Sequence, residues 1–271
     1  MVTLATNLVA LLRCRAEADA QAFADQIEAA GRLSLEAELA WAICDHRSNG
    51  DELLVARKYG NLRLPLDPLW IEWDMGDGVA AERVGVLVRT LADGSWELKL
   101  AGRLEDPRRG LDLFLIPGSA IIEDSGIFFD LHSARHRSER HVVVEDDHRI
   151  YDLLGQSAVI FLRLLLMITA KNSPLRLGDA PDFVRLNRRR QKARKSPVLG
   201  TRPVSWKLSQ VEGCGAAGGV TGEDARKRAM AHIVRGHPKI RKSGIFWWSP
   251  HFRNVVPEEA SPSGRDYRVE A

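Results

Sequence analysis

Val84-Gly85-Val86-Leu87-Val88-Arg89-Thr90 and Trp96-Glu97-Leu98-Lys99-Leu100, separated by a turn at Asp93-Gly94, decide the fold class of this 271-residue chain. β-branched valines crowd the first run and apolar residues alternate along the second, which is the composition and period of strands. Asp-Gly is a hairpin signal, because glycine accepts a positive φ at no cost and aspartate tolerates one. Upstream, Leu69-Trp70-Ile71-Glu72-Trp73 predicts another strand. Downstream, Pro117-Gly118 and Ser125-Gly126 separate further strands at Leu111–Ile116, Ala120–Glu123 and Ile127–Leu131. The expected unit is an antiparallel meander.

Helical spacing brackets this unit. His148–Lys171 carries Ile150, Leu153, Leu154, Ile160, Leu164 and Met167 along one face and predicts a core helix packed on the sheet. Residues 3–31 read as helix, with Leu8, Leu11 and Leu12 as the apolar side. Ser34 is expected to cap a second helix, with Glu36 and Glu38 in its first turn and Leu35, Leu39 and Ile43 on one face. Val204–Leu208 predicts a strand, and Gly213–Gly222 a glycine-rich loop that lacks the Gly-Lys-Ser/Thr ending of a P-loop. Thr221 and Asp224 suggest the cap of a short helix through about Met230. The expected class is α+β: N-terminal helices, an antiparallel β meander packed on a long helix, and a basic C-terminal α/β region.

An apolar share of 45% and a charged share of 28% exclude collagen-like and wholly disordered chains. Cys14, Cys44 and Cys214 form no C-x-x-C pair, so neither a zinc ribbon nor a dithiol redox site is expected. Arg13 and Arg15 follow the short run Leu8–Leu12, the reverse of a secretory signal. The longest apolar run, Val159–Ala170, contains Arg163 and falls short of a bilayer span. These features predict a reduced, cytoplasmic protein with no membrane partner, no cofactor and no metal.

The net charge of +3 conceals a split. Residues 185–253 hold seventeen Lys or Arg against Glu212, Glu223 and Asp224, a net of +14, whereas residues 1–184 carry −9. The expected organisation is an acidic body over residues 1–180, a basic region over 181–256, and a flexible polar tail over 257–271. Within the basic region, Arg188, Arg189, Arg190, Arg235, His237, Trp247, Trp248, His251 and Arg253 are the nucleic-acid-binding candidates, since cations hold phosphates and aromatics stack on bases. Read structurally, the same residues make a small β-core with a solvated basic face. His232, His237 and His251 would suit acid–base work on RNA, so one function class to weigh is a nucleic-acid-binding protein or ribonuclease acting through this basic His/Arg/Trp region. No Ser/His/Asp spacing, HExxH or paired-carboxylate pattern accompanies them, so the expectation is a non-enzyme with no catalytic residue.

Between the helices and the first strand runs Asn61-Leu62-Arg63-Leu64-Pro65-Leu66-Asp67-Pro68. Each proline pushes the residue before it out of helical conformation. In an extended chain Leu62, Leu64 and Leu66 fall on one side, suited to apolar pockets of a partner or to packing as an edge strand. A leucine transferred into such a pocket contributes about 1.5–3 kcal/mol before ordering costs. Asn61–Leu66 resembles the hexapeptide with which bacterial proteins dock on the β sliding clamp: Gln-Leu-x-Leu followed by Phe or Pro-Leu. Leu62 and Leu64 take the apolar anchor places, Arg63 the variable place and Pro65-Leu66 the end, while Asn61 stands where the pattern has Gln. A second partial match, Gln156–Phe161, falls inside the long predicted helix and is set aside.

Taken with His-Ile-Val-Arg-Gly-His at 232–237 and Phe-Trp-Trp-Ser-Pro-His at 246–251, the chain resembles the SocB family of replication-inhibiting toxins. That resemblance implies binding to the β sliding clamp (DnaN) through residues 61–66 and a block to replication elongation. It implies a SocA-like antitoxin acting as proteolytic adaptor, and delivery to the ClpXP protease.

Overall fold

The computed structural model describes residues 3–36, 39–40, 43, 57–58, 62–74, 83–106, 110–115, 119–130, 147–206, 232–234, 237–241, 243–248 and 251–253. Its strands are β1 (Gly31–Leu35), β2 (Leu69–Asp74), β3 (Arg83–Thr90), β4 (Trp96–Asp106), β5 (Gly110–Leu115), β6 (Ser119–Ile122), β7 (Ile127–Asp130), β8 (Leu175–Leu177) and β9 (Arg202–Trp206). Together they form one nine-stranded sheet in the order β7-β6-β4-β3-β2-β1-β9-β8, with β5 paired to β4 off that path. Beyond it lie the antiparallel pairs β10 (His232–Val234) with β13 (His251–Arg253) and β11 (His237–Arg241) with β12 (Gly244–Trp248). The chain is α+β, as its patterning predicts.

The meander forms where alternation is strongest. Ile71 of β2 lies opposite Val86 of β3, and Val88 of β3 opposite Leu98 of β4. Gly94 at the intervening turn has φ 83°, and the Leu91 N–H donates to the Ser95 carbonyl at 2.8 Å. β4 is long enough to pair twice, with β6 near its start and β5 near its end.

Two expectations are corrected. Ser34 caps no helix; it lies inside β1, which runs parallel to both β2 and β9, so the sheet is mixed. Leu33 and Leu35 are buried on one face of β1, and the Ser34 hydroxyl accepts from Arg83 Nη2 at 3.0 Å. Period-two burial therefore overrides the local capping signal. Parallel neighbours need a long crossover, which residues 36–68 supply. Leu39, Ala40 and Ile43 in that crossover are helical and buried, so the apolar face is real and the helix begins later than Ser34.

Residues 3–31 form two helices and the start of β1, not one helix. α1 (Leu4–Arg13) is capped by Thr3, whose hydroxyl accepts from the Thr6 N–H at 3.2 Å, and α2 (Ala18–Ala29) follows a break at Cys14–Glu17. Gln21 Nε2 donates to the Leu12 carbonyl at 3.1 Å and the Arg15 carbonyl at 2.5 Å, taking up groups freed where α1 ends. Arg13 spans to Asp25 and Glu28 at 2.5 and 2.8 Å. At the other end of α2, Arg32 donates to the carbonyls of Ile27, Glu28 and Ala30, and its Nε to Gly200 at 3.0 Å. A guanidinium on the last carbonyls of a helix complements its dipole; burial lowers the Arg32 pKa from its ordinary value.

The sheet is covered on both faces. Trp70, Leu87 and Ala101 pack with Leu4, Leu8 and Leu12 of α1 and Ile27 of α2. From the same strands Ile71, Trp73, Val86 and Val88 turn the other way and share a core with Leu154, Phe161 and Leu165 of α3 (Asp147–Thr169). Phe161 meets Trp96 edge-on, ring centroids 5.5 Å apart. By length and composition α3 is apolar enough to cross a membrane, with mean hydropathy 1.6 over Asp152–Thr169; 61% of that stretch is buried within the protein. On the α1 side, Glu72 is 0% exposed. Its Oε2 accepts from Trp70 Nε1 and from the Ala5 N–H in the first turn of α1, both at 3.2 Å, and its Oε1 from Arg83 Nη2 at 3.1 Å. A carboxylate there satisfies an orphan helix N–H and complements the dipole.

The charge boundary near residue 180 is not a boundary in the sheet: β9, from the basic side, lies between β1 and β8. Ile245 and Trp247 of β12 also join the α3 core. The predicted loop at 213–222, the short helix after Thr221 and the tail from 257 lie outside the described residues.

Candidate functional site

Residues 62–67 form an irregular segment at the end of the crossover, just before β2. Its three leucines are graded rather than aligned. Leu62 is 7% exposed and belongs to the α3-side core, Leu64 is partly buried against that core, and Leu66 is 42% exposed. Leu62 therefore faces inward, contrary to the expectation that all three project towards a partner. Leu66 lies over Gly31, where an added Cβ would come within 2.1 Å of Leu66 Cδ1 and 2.7 Å of Leu66 Cβ. The end of the segment is tied down: the Asp67 carboxylate accepts from the Thr90 N–H at 3.1 Å, and the Pro68 carbonyl from the Gly31 N–H at 2.9 Å. The Asp67–Pro68 peptide is cis. The backbone of Leu62–Leu66 makes no hydrogen bond with another described residue. Arg63 and Pro65 are exposed, and Asn61 lies outside the described residues.

This segment walls an open cleft of about 870 Å³ whose lining includes Leu62, Leu64, Asp93, Trp96 and Asp124. Arg57 closes one side. Its Nε pairs with Asp124 at 2.9 Å, Nη2 donates to the Gly94 carbonyl at 2.9 Å, Nη1 donates to the Ile122 carbonyl, and the guanidinium lies 4.3 Å from the Trp96 ring centre. Arg57 is thus a structural tie between the crossover and the β3–β4 and β6–β7 turns. The Asp93 carboxyl is held below the usual carboxylate range, first by the Ser95 hydroxyl at 2.5 Å and then by the Ser95 N–H at 2.9 Å. Two hydroxyl–carboxylate contacts line the cleft: the Ser95 hydroxyl donates to Asp93 and the Ser125 hydroxyl donates to Glu123 at 3.0 Å.

A second surface belongs to the basic region. α4 (Val184–Lys192) has no buried residue, and Arg185–Lys195 contains seven Lys or Arg and no acid. One side of α4 is anchored. Asn187 donates to the Val198 carbonyl at 2.9 Å and accepts from the Val198 N–H at 2.7 Å, and Arg190 Nε donates to the Ser196 carbonyl at 2.7 Å. Arg194, at φ 54°, turns the chain back along the helix. Arg190 is therefore engaged in its own fold, while Arg188 and Arg189 are exposed.

In the C-terminal hairpin, Trp247 is 5% exposed, with its N–H donating to Asn172 Oδ1 at 2.7 Å and its carbonyl accepting from Asn172 Nδ2 at 2.5 Å. It is a core residue, so its expected place on a base-stacking surface is corrected. Trp248 is exposed, with Lys239 Nζ 4.3 Å from its ring centre; Phe246, on the same face, has Lys171 and Arg241 beside it at 5.4 and 5.7 Å. Backbone register sets His237 opposite Trp248, His251 opposite Val234 and Arg253 opposite His232. Arg235 lies outside the described residues. Among the described residues no group of three His, Cys, Asp or Glu is placed to hold a metal ion.

Inspection of single residues in the basic run missed Arg185 and Lys192. The signal was available: 185, 188, 189 and 192 follow the i, i+3, i+4, i+7 spacing of one helix face. No known family, curated protein or solved structure matches this chain.

Proposed function

We propose that the protein is a docking inhibitor of the SocB type, which occupies the peptide pocket of the β sliding clamp with residues 61–66 and excludes polymerase subunits from it. The observation that carries this reading is the surface position of the segment's end: Arg63 and Pro65 are exposed and Leu66 is 42% exposed. An extended peptide entering a partner's pocket needs an apolar side chain outside its own core. Leu64 and Leu66 are then the entering anchors, and Leu62 roots the segment in its own core. Both anchors are already part-buried, so their transfer contributes less than the roughly 1.5–3 kcal/mol that each would bring from full exposure, before ordering and association costs. Entry of Leu62 as well would first forfeit its burial, about 1.5–3 kcal/mol. Affinity in the micromolar range, about −8 kcal/mol, then requires polar contacts along the peptide in addition. Competition for one pocket needs no catalytic group. A SocA-like adaptor and ClpXP are the partners through which such an inhibitor would be removed.

The test is titration of purified clamp with the full chain, alone and against a clamp-binding peptide. Saturable binding displaced by the peptide, and lost in Leu66→Asp while circular dichroism is kept and unfolding stays cooperative, is the expected result. No binding at tens of micromolar, or binding the peptide does not displace, overturns the reading.

A further inference from the structure

We infer that α4 presents a phosphate-binding face for a nucleic-acid backbone. The argument starts from helical geometry. Arg185, Arg188, Arg189 and Lys192 fall within about 100° of the helix circumference and extend over about 10 Å of its axis. Asn187 and Arg190, which tie the helix to Ser196 and Val198, lie on the opposite side. The four stripe cations are exposed, and none makes an ion pair with a described residue.

Helix stability does not account for the stripe. One or two cations in the last turn complement the dipole, and Arg189, Arg190 and Lys192 are already there. Like charges at 185/189 and 188/192 oppose the helix by a few tenths of a kcal/mol each. A stretch with seven cations and no acid keeps that cost without a local partner. Nor is the helix loose. The chain beyond the turn is rooted where the Leu199 N–H donates to Thr6 Oγ1 at 2.8 Å and Thr3 Oγ1 donates to the Leu199 carbonyl at 3.1 Å. The stripe is therefore held out from the body on a fixed base. Phosphates follow one another every 3.4 Å of rise along a strand, so four cations over about 10 Å match a short run of backbone. Guanidinium groups suit phosphate oxygens because their donors form a planar fork. Contacts of this kind position a protein on nucleic acid without reading sequence.

The experiment uses the full chain with a fluorescently labelled 24-base-pair DNA duplex of arbitrary sequence and, in a parallel arm, a single-stranded RNA of equal length. Four phosphate contacts predict that duplex affinity weakens about 150-fold between 50 and 200 mM salt. Arg188→Ala with Arg189→Ala removes two contacts, and the fall over that range drops to about 12-fold. Arg185→Ala with Lys192→Ala serves as a second, independent pair and gives the same reduction. The charge-matched control, Arg15→Ala with Lys99→Ala, keeps the wild-type slope. The two arms show whether the backbone is duplex or single-stranded; a slope that falls in either one supports the inference. Absence of binding to both probes at 50 mM salt overturns it, as does a slope unchanged in both double variants. It is also overturned if those variants bind nucleic acid normally but lose self-association in sedimentation, for the stripe would then face the acidic half of a second copy. Clamp protein is absent throughout, so failure here leaves the docking proposal standing, and the reverse holds.

Discussion

The graded burial of the three leucines predicts unequal effects of truncating them. Leu62 is 7% exposed within the α3-side core, and Leu66 is 42% exposed. Leucine-to-alanine changes in cores cost about 2–5 kcal/mol, depending on how far the surroundings collapse. Leu62 borders the open cleft beside Trp96, so relaxation is easy and the expected cost is about 2–3 kcal/mol. Leu66 has only part of its surface against Gly31, and its loss is worth about 1 kcal/mol or less. With a urea m-value of about 2–3 kcal/mol/M for a chain of this size, Leu62→Ala lowers the unfolding midpoint by about 1 M and Leu66→Ala by about 0.4 M or less. Equilibrium urea unfolding followed by tryptophan fluorescence and by circular dichroism measures both. Equal shifts, or a larger one for Leu66, would refute the inward placement of Leu62. The three leucines would then form one outward face, and Leu62 would return as a docking anchor.

Two further predictions concern the scaffold. Glu72→Gln breaks a buried ion pair with Arg83 and weakens the acceptor for Ala5 and Trp70; a cost of about 3–5 kcal/mol, a fall in Tm of at least about 6 °C, is expected in calorimetry. An unchanged Tm would refute the role of the Glu72–Arg83 pair in holding α1 to the sheet. For Asp93 the folded-state pKa is depressed, so its contribution is complete above the ordinary carboxylate value near about 3.9 and is lost as pH falls through the folded-state value. The stability difference between wild type and Asp93→Ala should therefore hold steady from pH 7 to 5 and shrink on further acidification. A difference that widens in acid contradicts the Ser95 hydrogen bonds.

The meander was legible because its information is local. Alternation in Trp96–Leu100 and the Asp93-Gly94 turn together specify a hairpin without any distant contact. β1 was not legible, since Gly31-Arg32-Leu33-Ser34-Leu35 is too short to declare a period and its partners are 34 or more residues away at Leu69 and beyond, and at Arg202–Val204. The capping reading of Ser34 rested on its hydroxyl. That hydroxyl is taken by Arg83, which no local pattern announces. The candidate surfaces show the same division. Period two placed Leu62, Leu64 and Leu66 on one side, whereas the segment is irregular and which way each leucine faces depends on the core beneath it. In the basic run, charge density was visible at once. Which cations are engaged by the fold, Arg190 among them, depends on where residues 196–198 return.

β1 joins the two proposed surfaces mechanically. Gly31 is the seat of Leu66 and donates its N–H to Pro68, while the next residue, Arg32, holds the Gly200 carbonyl just beyond the root of α4. Adjacent residues of one interior strand thus anchor the docking segment on one side and the cationic arm on the other. Interior strands are among the last elements to open, so neither surface can shift far without disturbing β1. Rigid attachment matters for a ligand that presents protein pocket and phosphate backbone together, because the second contact is then intramolecular. Avidity requires that both sites be reached at once, and it is lost when geometry forbids this. Where both proposals hold, a target offering a protein pocket and a phosphate backbone together is bound more tightly than either alone, and each surface still binds its own partner when tested singly.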